Sequence, residues 1–119
     1  MPKMADEVHS KLKELFPFEV IVPEYYISYK GNRLFFDFYL KDLGILFEIQ
    51  GRQHYQFIKH FHGSIDNFRA QKHRDNLKKE YIQENKSLCL VYFHDEKDKI
   101  TEKLVLKRIN EAQHREEGV

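Results

Sequence analysis

The pattern of apolar and polar residues divides the chain into seven predicted elements. Apolar residues at helical spacing predict helices over 4–16, 66–84 and 99–113. Runs rich in β-branched and aromatic residues predict strands over 19–29, 33–40, 43–50 and 88–93. The order α-β-β-β-α-β-α predicts an α/β fold, in which helices flank a small mixed β-sheet of about four strands.

Local signals refine this prediction. Pro23 cannot donate to a strand ladder, so the first strand should be an edge strand or contain a bulge. Gly31-Asn32 marks a turn, and Asn85 is a candidate C-cap. The fully apolar segment 88–93 predicts a central strand that is buried on both faces. The polar, His-rich segment 51–65 is interpreted as a loop.

Composition restricts the class of protein but does not identify its binding partners. The 119 residues favour one domain over 1–119, with a frayed tail from about residue 114. The net charge of +1 does not select nucleic acid, membrane or protein as a partner. Cys89 is the only cysteine, so no internal disulfide can form and a reduced core thiol is expected. No apolar segment resembles a signal peptide or a membrane span, which favours a soluble, cytoplasmic protein with no membrane partner.

Two carboxylates stand in otherwise apolar strands. A tight turn at Lys41-Asp42-Leu43-Gly44, with a two-residue loop at its centre, places Asp37 directly opposite Glu48. Directly opposed side chains have Cβ atoms about 4.5–5.5 Å apart. Two carboxylates at that distance repel each other unless a proton or a cation lies between them. The pattern therefore indicates a cation site.

Strand alternation gives this site a second feature. It places Phe36 and Phe38 on one apolar face, and Asp37, Glu48 and Gln50 together on the other face. Oxygen ligands of this kind suit Mg²⁺, which binds through one or two carboxylates together with water and substrate phosphate.

A structural explanation of the same residues stays open. Asp37 could pair with Arg33 or Arg52, and Glu48 could be an edge-strand charge that faces water.

These residues resemble a known family. The segment FDFYLKDLGILFEIQGRQHYQF, followed by FRAQKHRDNLKKEYIQEN and an apolar strand, is similar to the PD-(D/E)XK nuclease superfamily. Within it, the chain looks like a phage and virus branch related to very-short-patch-repair and EDxHD-type homing endonucleases. The similarity extends over roughly residues 5–110.

The resemblance implies roles for named residues. Asp37 and Glu48 match the metal-binding acids, and the Ile49 carbonyl would complete the metal site. His54 or Glu7 would assist proton transfer, where Glu7 is the nearest match to a family glutamate in the first helix, with Asp6 close by. Gly51, Gln53, His54 and Tyr55 match the segment after the strand, while Arg74, Asp75 and Lys78 match the next helix. Asp75 would support the active site, and the candidate DNA contacts are Arg52, Gln53, Lys72, Arg74 and Lys78. A solvated helix face with local ion pairs is the alternative for that helix.

Gln50 departs from the family pattern. The superfamily usually has lysine at this position, and this branch usually has aspartate. Glutamine carries no charge and cannot act as a base near neutral pH, although it can position a water molecule.

The resemblance implies a metal-dependent DNA endonuclease that uses Mg²⁺, with Mn²⁺ as a substitute. It would be a homing, mobile-element or repair-type nicking enzyme, encoded by a phage-like source and acting on duplex DNA. Dimerisation as a homodimer, nicking of one strand and recruitment by a partner stay open. Two other hypotheses are a catalytically inactive nuclease fold that binds DNA or protein, and an RNA-directed protein.

Overall fold

The computed structural model describes residues 3–51 and 57–115. It contains four strands, three longer helices and one helical turn. The helices are α1 (Lys3–Leu15), α2 (Lys59–His62), α3 (Ile65–Glu84) and α4 (Glu102–Arg115). The strands are β1 (Ile21–Tyr29), β2 (Asn32–Leu40), β3 (Ile45–Gln50) and β4 (Cys89–His94). The predicted α/β class and element order are confirmed. The single-turn helix α2 was not predicted and lies in the segment interpreted as a loop.

The strands form one mixed sheet in the order β1-β2-β3-β4. β1, β2 and β3 are antiparallel neighbours, whereas β4 runs parallel to β3. In the β2–β3 hairpin, Phe38 lies opposite Phe47 and Leu40 lies opposite Ile45, which is the predicted register. The turn itself is longer than predicted: four residues separate the two strands, and the Gly44 amide donates to the Leu40 carbonyl over 3.0 Å.

The β1–β2 hairpin turns at Lys30 and Gly31, whose φ angles of 49° and 77° both lie in the left-handed region. Two consecutive positive φ angles are typical of the tight turn that matches the twist of a hairpin. Pro23 lies on β1, which is an edge strand as predicted. Glu24 has a φ of 49° and interrupts the pairing without shifting the register.

Helices cover both faces of the sheet. One cluster joins α1 and α4 to the sheet, and its fully buried members include Leu12, Phe38, Leu40, Phe47, Phe93 and Val105. A second cluster joins α3 to the opposite face through Leu34, Phe36, Leu46, Leu77, Ile82 and Leu90. Since Leu46 and Phe47 are consecutive, their side chains necessarily leave β3 on opposite faces.

The side-chain alternation of β2 is interrupted at Asp37. Phe36 packs in the cluster of α3, whereas Phe38 packs in the cluster of α1 and α4. The prediction that Phe36 and Phe38 share one face is therefore wrong. The change occurs where Glu24 interrupts the β1–β2 pairing, since a regular ladder would have kept the alternation.

One further prediction needs correction. β4 is an edge strand of the described sheet, although it was predicted to be central. Its apolar sequence reflects helices on both faces, because Leu90 packs towards α3 while Val91 and Phe93 pack towards α1 and α4. On α3 the buried residues are Leu77 and Ile82. Asn85 does form the C-cap of α3. Across the described ranges, no helix combines the length and apolar character needed to cross a membrane.

Candidate functional site

Two hydrogen bonds between side chain and backbone join Asp37 to consecutive residues of β3, one to Glu48 and one to Ile49. The Asp37 amide donates to Glu48 Oε1 over 3.3 Å, and the Ile49 amide donates to Asp37 Oδ2 over 2.7 Å. The β2–β3 ladder ends one residue earlier, at Phe38 and Phe47. Beyond that point each carboxylate accepts from the backbone of the opposite strand, so the two acids continue the hairpin in place of the missing ladder bonds.

Lys78 of α3 contacts Glu48 from above the sheet. Its ammonium donates to Glu48 Oε2 over 2.9 Å, and the two side chains are 12% and 5% exposed. The same ammonium lies 5.3 Å from the centre of the Phe36 ring. The explanation of Glu48 as an edge-strand charge facing water is therefore wrong, because Glu48 is buried and paired with a cation.

Asp75 and Tyr92 lie on the same side of the sheet as this pair. Tyr92 neighbours Glu48 in the parallel β3–β4 register. Burial, together with the negative charges of Glu48 and Asp75, raises the pKa of Tyr92 to about 12. The Tyr92 hydroxyl thus stays protonated at neutral pH, and Asp75 lies close enough to act electrostatically on this end of β4.

The other predicted site residues that the structure describes lie at the end of β3, on α1 and on α3. Ile49 contacts Asp37 through its backbone N–H, while the predicted metal ligand is its carbonyl. Gln50 is half-buried at the end of β3, and its carbonyl accepts from the Asp95 amide over 2.9 Å. Glu7 is exposed on α1, the helix of the opposite layer. Lys72 is half-buried on α3. The predictions for Arg52, Gln53, His54 and Tyr55 fall outside the described residues.

An open cleft of about 490 Å³ lies between the β1–β2 hairpin and α3. Arg33 and Phe35 line it from β2, and Arg74 and Lys78 line it from α3. Lys78 therefore connects the cleft to Glu48. Arg74 was a predicted DNA contact, whereas Arg33 was considered only as a partner of Asp37 and Phe35 was not among the predicted site residues.

His62 has a structural role. Its Nε2 lies 2.8 Å from Gln71 Oε1, and its Nδ1 lies 3.0 Å from both backbone polar atoms of Ile58. Its ring also packs against Phe57 and Phe68. These contacts attach α2 to α3, which accounts for a buried histidine in this segment without a metal.

Sequence reasoning missed the role of Lys78 at the acids and the half-buried Asp98–Arg108 pair. Arg108 donates to both carboxylate oxygens of Asp98, over 2.9 and 3.0 Å, and also to the Tyr92 carbonyl. The signal for Lys78 was its position three residues after Asp75, on the same flank of a helix. No local signal identifies which cation reaches Glu48, since the two residues are 30 positions apart.

Residues of this chain are 43% identical over 56 positions to "Uncharacterized protein 307L" of Invertebrate iridescent virus 6, a match that spans 46% of this chain and 28% of that protein. No family model matches the chain. No solved structure matches it.

Proposed function

We propose that the protein is a Mg²⁺-dependent endonuclease that hydrolyses phosphodiester bonds in DNA. The observation that supports it most is the opposed pair of Asp37 and Glu48, held by reciprocal backbone bonds with a buried ammonium 2.9 Å from Glu48. A buried carboxylate beside a second, half-buried carboxylate and a cation is costly to maintain for stability alone, so the arrangement favours a functional site.

The donor atoms at this site fit Mg²⁺. Asp37 and Glu48 supply carboxylate oxygens, and the Ile49 carbonyl is a third candidate ligand. Within residues 3–51 and 57–115, no cluster of three or more His, Cys, Asp or Glu side chains could hold a metal. Two carboxylates are nevertheless a usual protein contribution to Mg²⁺, which takes its other ligands from water and phosphate. When bound, the ion would lower the pKa of a coordinated water and offset charge on the phosphate.

The protein's own groups would orient the two acids, position the attacking water and accept its proton. The backbone bonds orient the two carboxylates. Gln50 would position the attacking water, and His54 or Glu7 would accept its proton as the new P–O bond forms and the bond to the leaving oxygen breaks. We assign to Lys78 the positive charge that glutamine at position 50 cannot provide, because its ammonium already lies at Glu48.

Cleavage of supercoiled plasmid with Mg²⁺ or Mn²⁺ tests the proposal. Asp37→Asn and Glu48→Gln should lose nicking, because each removes one charge with little change of shape. Glu111→Gln, on the exposed side of α4, is the matched control and should retain activity. Equal nicking by wild type and Asp37→Asn would indicate a contaminating nuclease and contradict the proposal.

The role of Lys78 has its own test. Lys78→Met should reduce cleavage strongly, and adding Gln50→Lys should restore part of it, since a lysine then stands at the usual family position. If the double variant is no more active than Lys78→Met, while both variants remain folded, the assignment of Lys78 is wrong.

A second candidate is a nuclease-like protein that binds DNA or another protein without cleaving. The Lys78–Glu48 pair favours it, because an ammonium neutralises Glu48 without any metal. This candidate predicts tight DNA binding, no nicking with either metal, and unfolding that is independent of Mg²⁺.

The proposed setting is a mobile element or a repair system of viral origin, inside a host cell. The partial similarity to an iridescent-virus protein supports a viral source.

A further inference from the structure

The cleft between the β1–β2 hairpin and α3 has a cationic lining beside an exposed aromatic surface. Arg33 and Arg74 are both exposed, and neither is in an ion pair within the part of the chain that the structure describes. The charge of Lys78 is matched by Glu48. Arg33 and Arg74 therefore give the cleft a net positive charge that suits phosphate groups.

Phe35 adds a flat apolar surface at the mouth of this cleft, on the face of the hairpin that points away from α3, because its neighbours Leu34 and Phe36 pack against α3. Its side chain is 53% exposed and lies against Tyr26, which is 47% exposed, with 5.2 Å between the ring centres. Arg33 shares the face of these two rings, whereas Arg74 borders the cleft from the α3 side. Exposed aromatic rings beside arginines form the combination that binds nucleic acid strands, in which bases stack and phosphates pair with cations.

The walls of the cleft are fixed relative to each other. Lys30, at the tip of the hairpin, forms an ion pair with Glu80 of α3. The Tyr29 ring packs edge-on against Tyr81 of α3, with ring centres 5.4 Å apart. The cleft is therefore a formed feature of the fold, and its volume of about 490 Å³ lies within the usual range for small-ligand sites.

We propose that this cleft holds an unpaired stretch of the DNA strand next to the bond that is cut. Phe35 stacks on an unpaired base, while Arg33 and Arg74 contact the phosphates. An unpaired base is required, because the stacking faces of a paired duplex are covered by neighbouring bases. Lys78 lines the cleft on the α3 side and also contacts Glu48, so a strand that crosses the edge of β2 from Phe35 to Lys78 reaches the two acids. The inference rests on the proposed function in two respects: the choice of DNA as the ligand, and the role of Glu48 as a metal-binding acid at the site of cleavage.

Binding in EDTA tests the inference without cleavage. Fluorescence anisotropy would compare a labelled single-stranded DNA, the same sequence as blunt duplex, the duplex with a single-stranded flap, and single-stranded RNA. The single strand and the flap should bind the wild-type protein at least tenfold more tightly than the blunt duplex. Equal affinity for blunt duplex would overturn the inference, and tighter RNA binding would overturn the choice of DNA.

Variants locate the binding to the cleft. Phe35→Ala should weaken binding of the single strand about tenfold, within the range for one stacked base. Arg33→Gln and Arg74→Gln should each weaken it several-fold and reduce the salt slope by about 0.7. Leu106→Ala and Lys103→Gln, exposed on α4, are matched controls and should change neither quantity.

The remaining outcomes separate this inference from the proposed function. If Phe35→Ala leaves single-strand binding unchanged but abolishes a dimer in sedimentation, the aromatic surface contacts a second copy and the inference is wrong. A protein that prefers unpaired DNA but never cleaves would contradict the nuclease proposal alone. A protein that cleaves blunt duplex without preference for unpaired DNA would contradict only the inference about the cleft.

Discussion

Lys78 Nζ lies 2.9 Å from Glu48 Oε2 across the interface between α3 and the sheet, and both side chains are almost fully shielded from water. This ion pair links the layer of α3 to the hairpin that carries the two acids. Removing one partner of this pair should lower the free energy of unfolding more than removing one partner of a surface pair, because the other charge is left buried and uncompensated.

Replacing Lys78 by methionine should lower the free energy of unfolding by about 3 kcal/mol in EDTA. The double variant Lys78→Met, Glu48→Gln should recover part of that loss, because no buried charge is then left without its cation. Urea unfolding at neutral pH measures both. Strictly additive losses in the double variant would show that the two residues are not coupled.

Asp37→Asn and Asp37→Ala should differ in stability. Asparagine keeps an oxygen that can accept from the Ile49 amide, so its cost should stay below about 1 kcal/mol, whereas alanine leaves that amide unsatisfied at about 1–3 kcal/mol. Urea unfolding of the two variants gives the comparison. Equal stability would mean that the Asp37–Ile49 hydrogen bond contributes nothing measurable.

The Asp98–Arg108 pair should make stability depend on acid pH. Burial alone would raise the pKa of Asp98, but hydrogen bonds from Arg108 and the His94 amide hold it below its ordinary value of 3.8. Because the folded-state pKa is depressed, the stabilisation is present above pH 3.8 and is lost as the pH falls through the folded-state value.

Arg108→Met should therefore cost about 2 kcal/mol at pH 7 and less at pH values that protonate Asp98. Denaturant unfolding from pH 2 to pH 7 measures the difference between variant and wild type. A difference that is constant across this range would contradict the role of the Asp98 charge. Lys107→Met, a neighbour on the exposed side of α4, is the control and should have little effect at either pH.

Gly44→Ala should be strongly destabilising. Gly44 has a φ of 68°, and a Cβ built there would lie 2.5 Å from the Ser87 carbonyl oxygen, which belongs to the backbone. The matched control is Gly31→Ala, with a φ of 77° but no atom within 4 Å. The control should cost about 1–2 kcal/mol, from backbone conformation alone. Gly44→Ala should cost clearly more, and equal losses of Tm would refute the effect of the close contact.

The features predictable from sequence are the ones set by neighbours along the chain. The register that opposes Asp37 to Glu48 followed from the turn between them, because a short hairpin loop fixes the pairing of its strands. The C-cap at Asn85 likewise depended on local residues. Element order and fold class could therefore be inferred without any distant contact.

The features that could not be predicted depend on how distant segments pack. The contact of Lys78 with Glu48 requires α3 to cross the sheet at a particular place, and periodicity fixes only which face of a helix is apolar. The edge position of β4 was missed because helices on both faces give an edge strand the same apolar pattern as a central one. The change of face between Phe36 and Phe38 coincides with the left-handed backbone of Glu24 on the neighbouring strand, which no local pattern in β2 predicts.

The change of face at Asp37 has a consequence for how the protein unfolds. Leu34 and Phe36 belong to one hydrophobic cluster, and Phe38 and Leu40 belong to the other, so a single nine-residue strand supplies both. Neither layer can lose its packing without releasing β2, and releasing β2 removes the support of the other layer. The two halves of the molecule should therefore melt together in one cooperative transition, with β2 as the element common to both.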